Sequence, residues 1–175
     1  TDVDDKTIRG SREKNLPLKE FTAIYRQAFL EDMKTLNIEI PERMPNATDH
    51  IPAMIELIQK LIDKKSAYVS DDGSVYFHIA SFPKYGCLCH LDLENLISGA
   101  RVNQDEYEKE GLGDFVLWKK WIAADGDVGL ESPWGKGRPG WHIECSGLSM
   151  EHLGNSIDIH GGGTDLRFPH HEIEI

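Results

Sequence analysis

The residues best equipped for chemistry lie between positions 139 and 175. His170 and Glu174 are four apart, and Pro169 before them suits the first turn of a helix. On a helix they share one face, about 5.4 Å apart along the axis. Cys145 precedes them on a segment that also reads as helical. Thiolate, imidazole and carboxylate are all zinc ligands, and three protein ligands leave a fourth position open. Spacing alone leaves two readings standing: a metal site, or a buried cysteine beside a chance His-x-x-x-Glu. Gly161, Gly162 and Gly163 follow an apolar run and let backbone approach a phosphate, or simply make a tight turn. Asp165 could accept hydrogen bonds from a ribose or an amine, or serve as a turn residue.

Other sites carry less. Cys87-Leu-Cys89-His90 has a gap too short for a zinc knuckle and no second pair, so it reads as an incidental loop. Thr1-Asp-Val-Asp-Asp-Lys6 is either a polar strand end near a site or a solvated loop. His142, His152 and His171 read as structural or surface residues.

These groups need a scaffold. Phe21, Ile24, Tyr25, Ala28, Phe29, Met33 and Leu36 predict an amphipathic packing helix over Leu18–Leu36, with Pro17 in its first turn. Ile38–Asn46 is a connector. A second helix is predicted from Asp49 to Lys65, capped by Thr48 or Asp49, with Ile51, Met54, Ile55, Ile58, Leu61 and Ile62 inward. Ala67–Ser70 and Val75–Ile79 flank Asp71-Asp-Gly-Ser74 as a hairpin. Asp92–Ser98 predicts a short helix and Asn103–Gly113 a solvated loop. Phe115–Trp121 is apolar and aromatic. Asp125–Gly140, rich in glycine, reads as loop. Trp141–Leu153 predicts a helix ended by Gly154. Ile157–His160 predicts a buried strand.

Composition narrows the class. The 175 residues suffice for a real core, and a net charge of −11 argues against non-specific nucleic-acid binding. No apolar run reaches bilayer length. Three cysteines argue against a disulfide framework and for a reducing, cytoplasmic setting. The chain opens without Met and stops inside a predicted helix, so it reads as a piece of a longer protein.

Three stretches, Thr1-Asp-Val-Asp-Asp-Lys6, Gly137-Arg-Pro-Gly-Trp-His-Ile-Glu-Cys-Ser146 and Asp158-Ile-His-Gly-Gly-Gly-Thr-Asp-Leu-Arg-Phe-Pro-His-His-Glu172, closely resemble the cysteinyl-tRNA synthetase family of class I aminoacyl-tRNA synthetases. Asp49-His-Ile-Pro52 and Asp114–Lys119 also look like it. The resemblance implies an α/β fold: part of a Rossmann-like catalytic domain with a connective α+β insertion. Residues 1–15 would end the first nucleotide-binding half, 16–138 would hold helices and the insertion, and 139–175 would begin the second half. The family's HIGH signature and first zinc cysteine would precede Thr1. The KMSKS-type loop and anticodon-binding domain would follow Ile175.

The resemblance also implies roles. Cys145, His170 and Glu174 match three of the family's four zinc ligands. Thr1, Trp141 and His160 match the cysteine pocket. Gly161, Gly162, Gly163 and Asp165 match the segment against adenosine. The implied partners are cysteine, ATP with Mg2+, and the cognate tRNA, with no membrane. The implied reaction activates cysteine as its adenylate and passes it to tRNA, with zinc selecting the thiolate. Two departures stand out: Ile173, where the family usually has Asn, and the Cys87–Cys89 pair. Alternative readings are a cysteine–amino-sugar ligase of the mycothiol type and a non-catalytic zinc or nucleotide module.

Overall fold

The computed structural model describes residues 2–90 and 113–175, and the backbone of 101–102. The acid-rich start is neither strand nor loop but the cap of helix α1 (Asp5–Glu13). The Asp4 carboxylate accepts from the Thr7 N–H at 2.7 Å, and the Thr7 hydroxyl accepts from the Asp4 N–H at 2.9 Å. The neighbouring acids bind distant segments. Asp2 accepts from the Ala47 N–H at 2.9 Å and the Thr48 hydroxyl at 2.6 Å. Asp5 pairs with Lys119 at 2.8 Å and with Arg138.

Helix α2 (Leu18–Thr35) forms where periodicity predicts, but its apolar stripe is not a core face. Only Phe21 and Met33 are buried, while Ile24, Tyr25 and Phe29 are each more than half exposed. Phe21 reaches α1 at Gly10, where an added Cβ would lie 2.6 Å from its ring. Helix α3 (Ile51–Asp63) follows a helical turn over Ala47–Asp49. The predicted caps are used elsewhere: Thr48 donates to Asp2 and Asp49 accepts from Asn46, so His50 takes the cap position without a side-chain bond. The buried face, Ile51, Met54 and Ile58, is the predicted one.

The sheet is mixed and centred on β4 (Asp114–Lys120), which is buried along all but its last residue. The predicted hairpin is β1 (Ala67–Val69) and β2 (Val75–Phe77), with β2 antiparallel to β4. Strand β3 (Arg101–Val102) runs parallel to the start of β4. Strand β5 (Gly137–Pro139) pairs antiparallel with its far end, inside the stretch that reads as loop. Glycine permits this pairing, because a Cβ at Gly137 would lie 2.2 Å from the Lys119 carbonyl oxygen. Helix α4 (Trp141–Leu153) packs on α3 and β4 and ends at Gly154, as predicted. The core joins Met54, Ile58, Val75, Leu117, Trp118 and Ile143.

The expected strand at Ile157–His160 is absent. Ile157 and Ile159 are exposed, and no described strand offers this run a ladder partner. The predicted helix at Asp92–Ser98 lies outside the described residues, as does the loop at Asn103–Gly113 except for Gly113. No described helix is long and apolar enough to cross a membrane.

Candidate metal and substrate site

The end of β5 aims the start of α4. The Gly140 N–H donates to the Leu117 carbonyl at 2.9 Å, and a Cβ at Gly140 would lie 2.4 Å from the Val116 carbonyl oxygen. Only glycine fits that approach, so Gly137-Arg-Pro-Gly140 fixes where Trp141 begins the helix. Cys145 follows one turn later on the same face.

The second wall is the C-terminal turn. Phe168 is extended, the Phe168–Pro169 peptide is cis, and helical backbone runs on through α5 (Glu172–Glu174). His170 and Glu174 then meet as their spacing predicts, with Nε2 3.0 Å from Oε1. The Cys145 thiol also reaches Glu174. One ligand atom from each of Cys145, His170 and Glu174 lies within 4.8 Å of the other two. Such a spread suits one cation bonded at about 2.0–2.3 Å to each.

The electrostatics favour a cation there. Burial first, and then the negative charge of Glu174, push the Cys145 thiol up to about 12. Burial also opposes ionisation of Glu174, but hydrogen bonds from His170, His171 and Cys145, with the charge on His170, outweigh it and bring the carboxyl down to about 2. A thiol facing a carboxylate gives up its proton readily only when positive charge arrives between them.

His171 belongs to this cluster, although the sequence places it as structural or surface. Its Nδ1 lies 3.3 Å from Glu174 Oε2 and 3.2 Å from His160 Nε2, and His160 Nε2 is itself 3.0 Å from Oε2. The His171–Glu174 spacing of three is the signal that would have found it. His142 is also engaged: burial first, then the charge of His170, pull its imidazole down to about 3, so it is neutral. His152 lies near the surface, within 3.3 Å of Arg43.

Trp141 stacks on His170, with ring centroids 4.4 Å apart. Trp141 and Cys145 open onto a cleft of about 1080 Å³ whose other walls include Val3, Phe21, Tyr25 and Asn46. Gly161, Gly162 and Gly163 are exposed and follow no strand. Of the three, Gly162 touches the cluster, since a Cβ there would lie 2.2 Å from the His171 ring. Asp165 is exposed in a single helical turn over Thr164–Leu166. Thr1 lies outside the described residues.

Among the described residues Cys87 and Cys89 belong to neither candidate metal cluster, but their loop is not incidental. Glu172, buried on the other side of the C-terminal turn, accepts from the Gly86 N–H at 2.7 Å and the Cys89 N–H at 2.8 Å. The Cys89 thiol donates to the Arg167 carbonyl at 3.1 Å.

The family model for the catalytic domain of class I (C) tRNA synthetases matches residues 1–175. The chain is 60% identical to a cysteine–tRNA ligase of Protochlamydia amoebophila (strain UWE25), 54% to one of Chlamydia pneumoniae and 56% to one of Chlamydia felis (strain Fe/C-56). Each match covers all of this chain and 37% of the relative, so the chain spans little more than a third of the length of these proteins.

Proposed function

The chain belongs to the class I (C) tRNA synthetase catalytic domain family, and from that premise we propose that it serves a cysteine–tRNA ligase. The substrates in this reading are cysteine, ATP with Mg2+ and the cognate tRNA, in the cytoplasm. The cysteine carboxylate attacks the α-phosphate of ATP, releasing pyrophosphate, and the adenylate then passes its acyl group to the terminal adenosine of tRNA. The scaffold is a Rossmann-like domain. Its first nucleotide-binding half ends within residues 1–15, the connective segment occupies 16–138, and the second half begins at 139.

Cys145, His170 and Glu174 would hold zinc, and the observation that carries the reading is their convergence from two separate helical segments. Bound zinc supplies a borderline-soft Lewis acid that takes a thiolate far better than an alcohol. A specific partner for a substrate side chain discriminates by about 10⁴–10⁵, where an apolar pocket separates such isosteres poorly. Trp141 braces His170 by stacking and walls the adjoining cleft. His160 and His171 orient the Glu174 carboxylate through its other oxygen. We assign Trp141, His160 and Thr1 to the cysteine pocket, and Gly161, Gly162, Gly163 and Asp165 to the adenosine side.

The test is zinc content together with kcat/KM for cysteine and for serine in the full-length protein and its Glu174→Ala variant. Loss of zinc should come with loss of cysteine activation and collapse of the cysteine/serine ratio. A zinc-depleted Glu174→Ala enzyme that kept its ratio would remove the metal from selection.

A further inference from the structure

Behind His170 stands a second imidazole. His142 is 2% exposed on the first turn of α4, and its Nδ1 lies 2.8 Å from His170 Nδ1. Trp141 stacks on both rings, with centroids 4.4 Å from His170 and 5.4 Å from His142. The Phe115 ring meets His142 edge-on at 6.1 Å. Aromatic contacts thus hold both imidazoles in place.

Two ring nitrogens this close need one proton between them, because two N–H groups or two lone pairs would repel. His170 has one other nitrogen, Nε2, and it faces Glu174 Oε1 at 3.0 Å, within the cluster that includes Cys145. A cation bound at Nε2 needs the lone pair there, which leaves Nδ1 as the place for the proton of the neutral ring. That proton points at His142 Nδ1.

We propose that His142 is a positioning residue: its Nδ1 accepts the Nδ1–H of His170 and so holds His170 in the tautomer whose Nε2 lone pair is available to a cation shared with Cys145 and Glu174, in place of the Nε2–H that Glu174 accepts when no cation is there. The proposal rests on the metal reading above and adds to it a residue outside the ligand set. Metal-bound histidines commonly donate their other N–H to a carboxylate, a carbonyl or water. A buried neutral imidazole in that role aims the ligand without adding negative charge beside Cys145 and Glu174.

The experiment uses the full-length protein loaded with zinc and labelled with ¹⁵N-histidine. NMR should show His170 protonated at Nδ1, and His142 bare at Nδ1 and protonated at Nε2. A proton on His142 Nδ1 overturns the proposal, and this measurement needs no variant. In parallel, His142→Phe keeps a ring but loses the acceptor, and His142→Asn restores a carbonyl near the Nδ1 position. His142→Phe should weaken zinc binding about 10–100-fold and alter the cobalt(II) absorption spectrum, while His142→Asn should recover most of the affinity. Variants that bind zinc as the parent does, or an Asn variant as weak as the Phe variant, overturn the proposal. A parent protein that binds no zinc overturns the metal reading and this proposal together, whereas zinc-binding by the parent with unaffected variants overturns this proposal alone.

Discussion

Gly162 and Trp141 touch different histidines of the same cluster, and they should fail differently. A Cβ on Gly162 would sit 2.2 Å from two atoms of the His171 ring, so in Gly162→Ala either that ring or the exposed segment must shift, and a shifted ring disturbs the contact with Glu174. The expected cost is about 1–3 kcal/mol, from overpacking and a lost contact, read by urea unfolding. A variant as stable as the parent would show that the segment moves aside freely. Trp141→Ala removes a wall of the cleft and the stack on His170 while leaving all three ligand side chains in place. In the full-length enzyme its KM for cysteine should rise while zinc stays bound at saturating metal, the lost stack showing only as weaker zinc affinity, and metal analysis beside steady-state kinetics separates the two effects. Much of this scale is legible in the sequence: a helical spacing of four brings His170 to Glu174. Cys145 is less so, because no local rule places α4 beside a turn two dozen residues later. The surroundings of His142 are hidden for a related reason, since they are supplied by the fold, whereas His171 carries a local signal in its spacing of three from Glu174.

Two local devices at the scale of elements can be tested separately. The capping box of α1 joins Asp4 and Thr7, so Asp4→Ala should destabilise the protein by about 0.5–2 kcal/mol in chemical denaturation. In the β1–β2 turn, Asp72 accepts from the Ser70 hydroxyl, and from the Ser74 N–H at 2.9 Å. Those bonds, the one from Ser70 foremost, hold its carboxyl below the usual range. A depressed carboxyl stabilises the fold above the unfolded value of about 3.9, and that contribution fades as pH falls through the lower folded value. Asp72→Asn should therefore be less stable than the parent at neutral pH and should converge with it in acid, as urea titrations at several pH values would show. Helices α2, α3 and α4 and the hairpin were readable because periodicity and turn chemistry act locally. Strand β5 was not, because glycine-rich composition looks like loop until a partner strand such as β4 is known. The run Ile157–His160 erred the other way: four residues of strand character form no strand without a ladder to join.

For the molecule as a whole, α3, α4 and β4 share one core around Met54, which is fully buried and lies 3.0 Å from where a Cβ on Gly147 would stand. Met54→Ala should cost about 2–5 kcal/mol in thermal or chemical unfolding. The exposed stripe of α2 is the part of the architecture that composition misreads, since amphipathic spacing says which residues share a face and not what covers it. Glu172 carries a further consequence. One carboxylate clasps the amides of Gly86 and Cys89 while its own turn presents His170 and Glu174 on the other side. Two regions more than eighty residues apart in sequence are thereby tied together, and they should open as one unit. In hydrogen–deuterium exchange those two amides should lose protection together with the ligand-bearing turn, and Glu172→Gln should quicken exchange at both places. The steadiness of His170 and Glu174 is thus borrowed in part from a loop that grips their turn through Glu172.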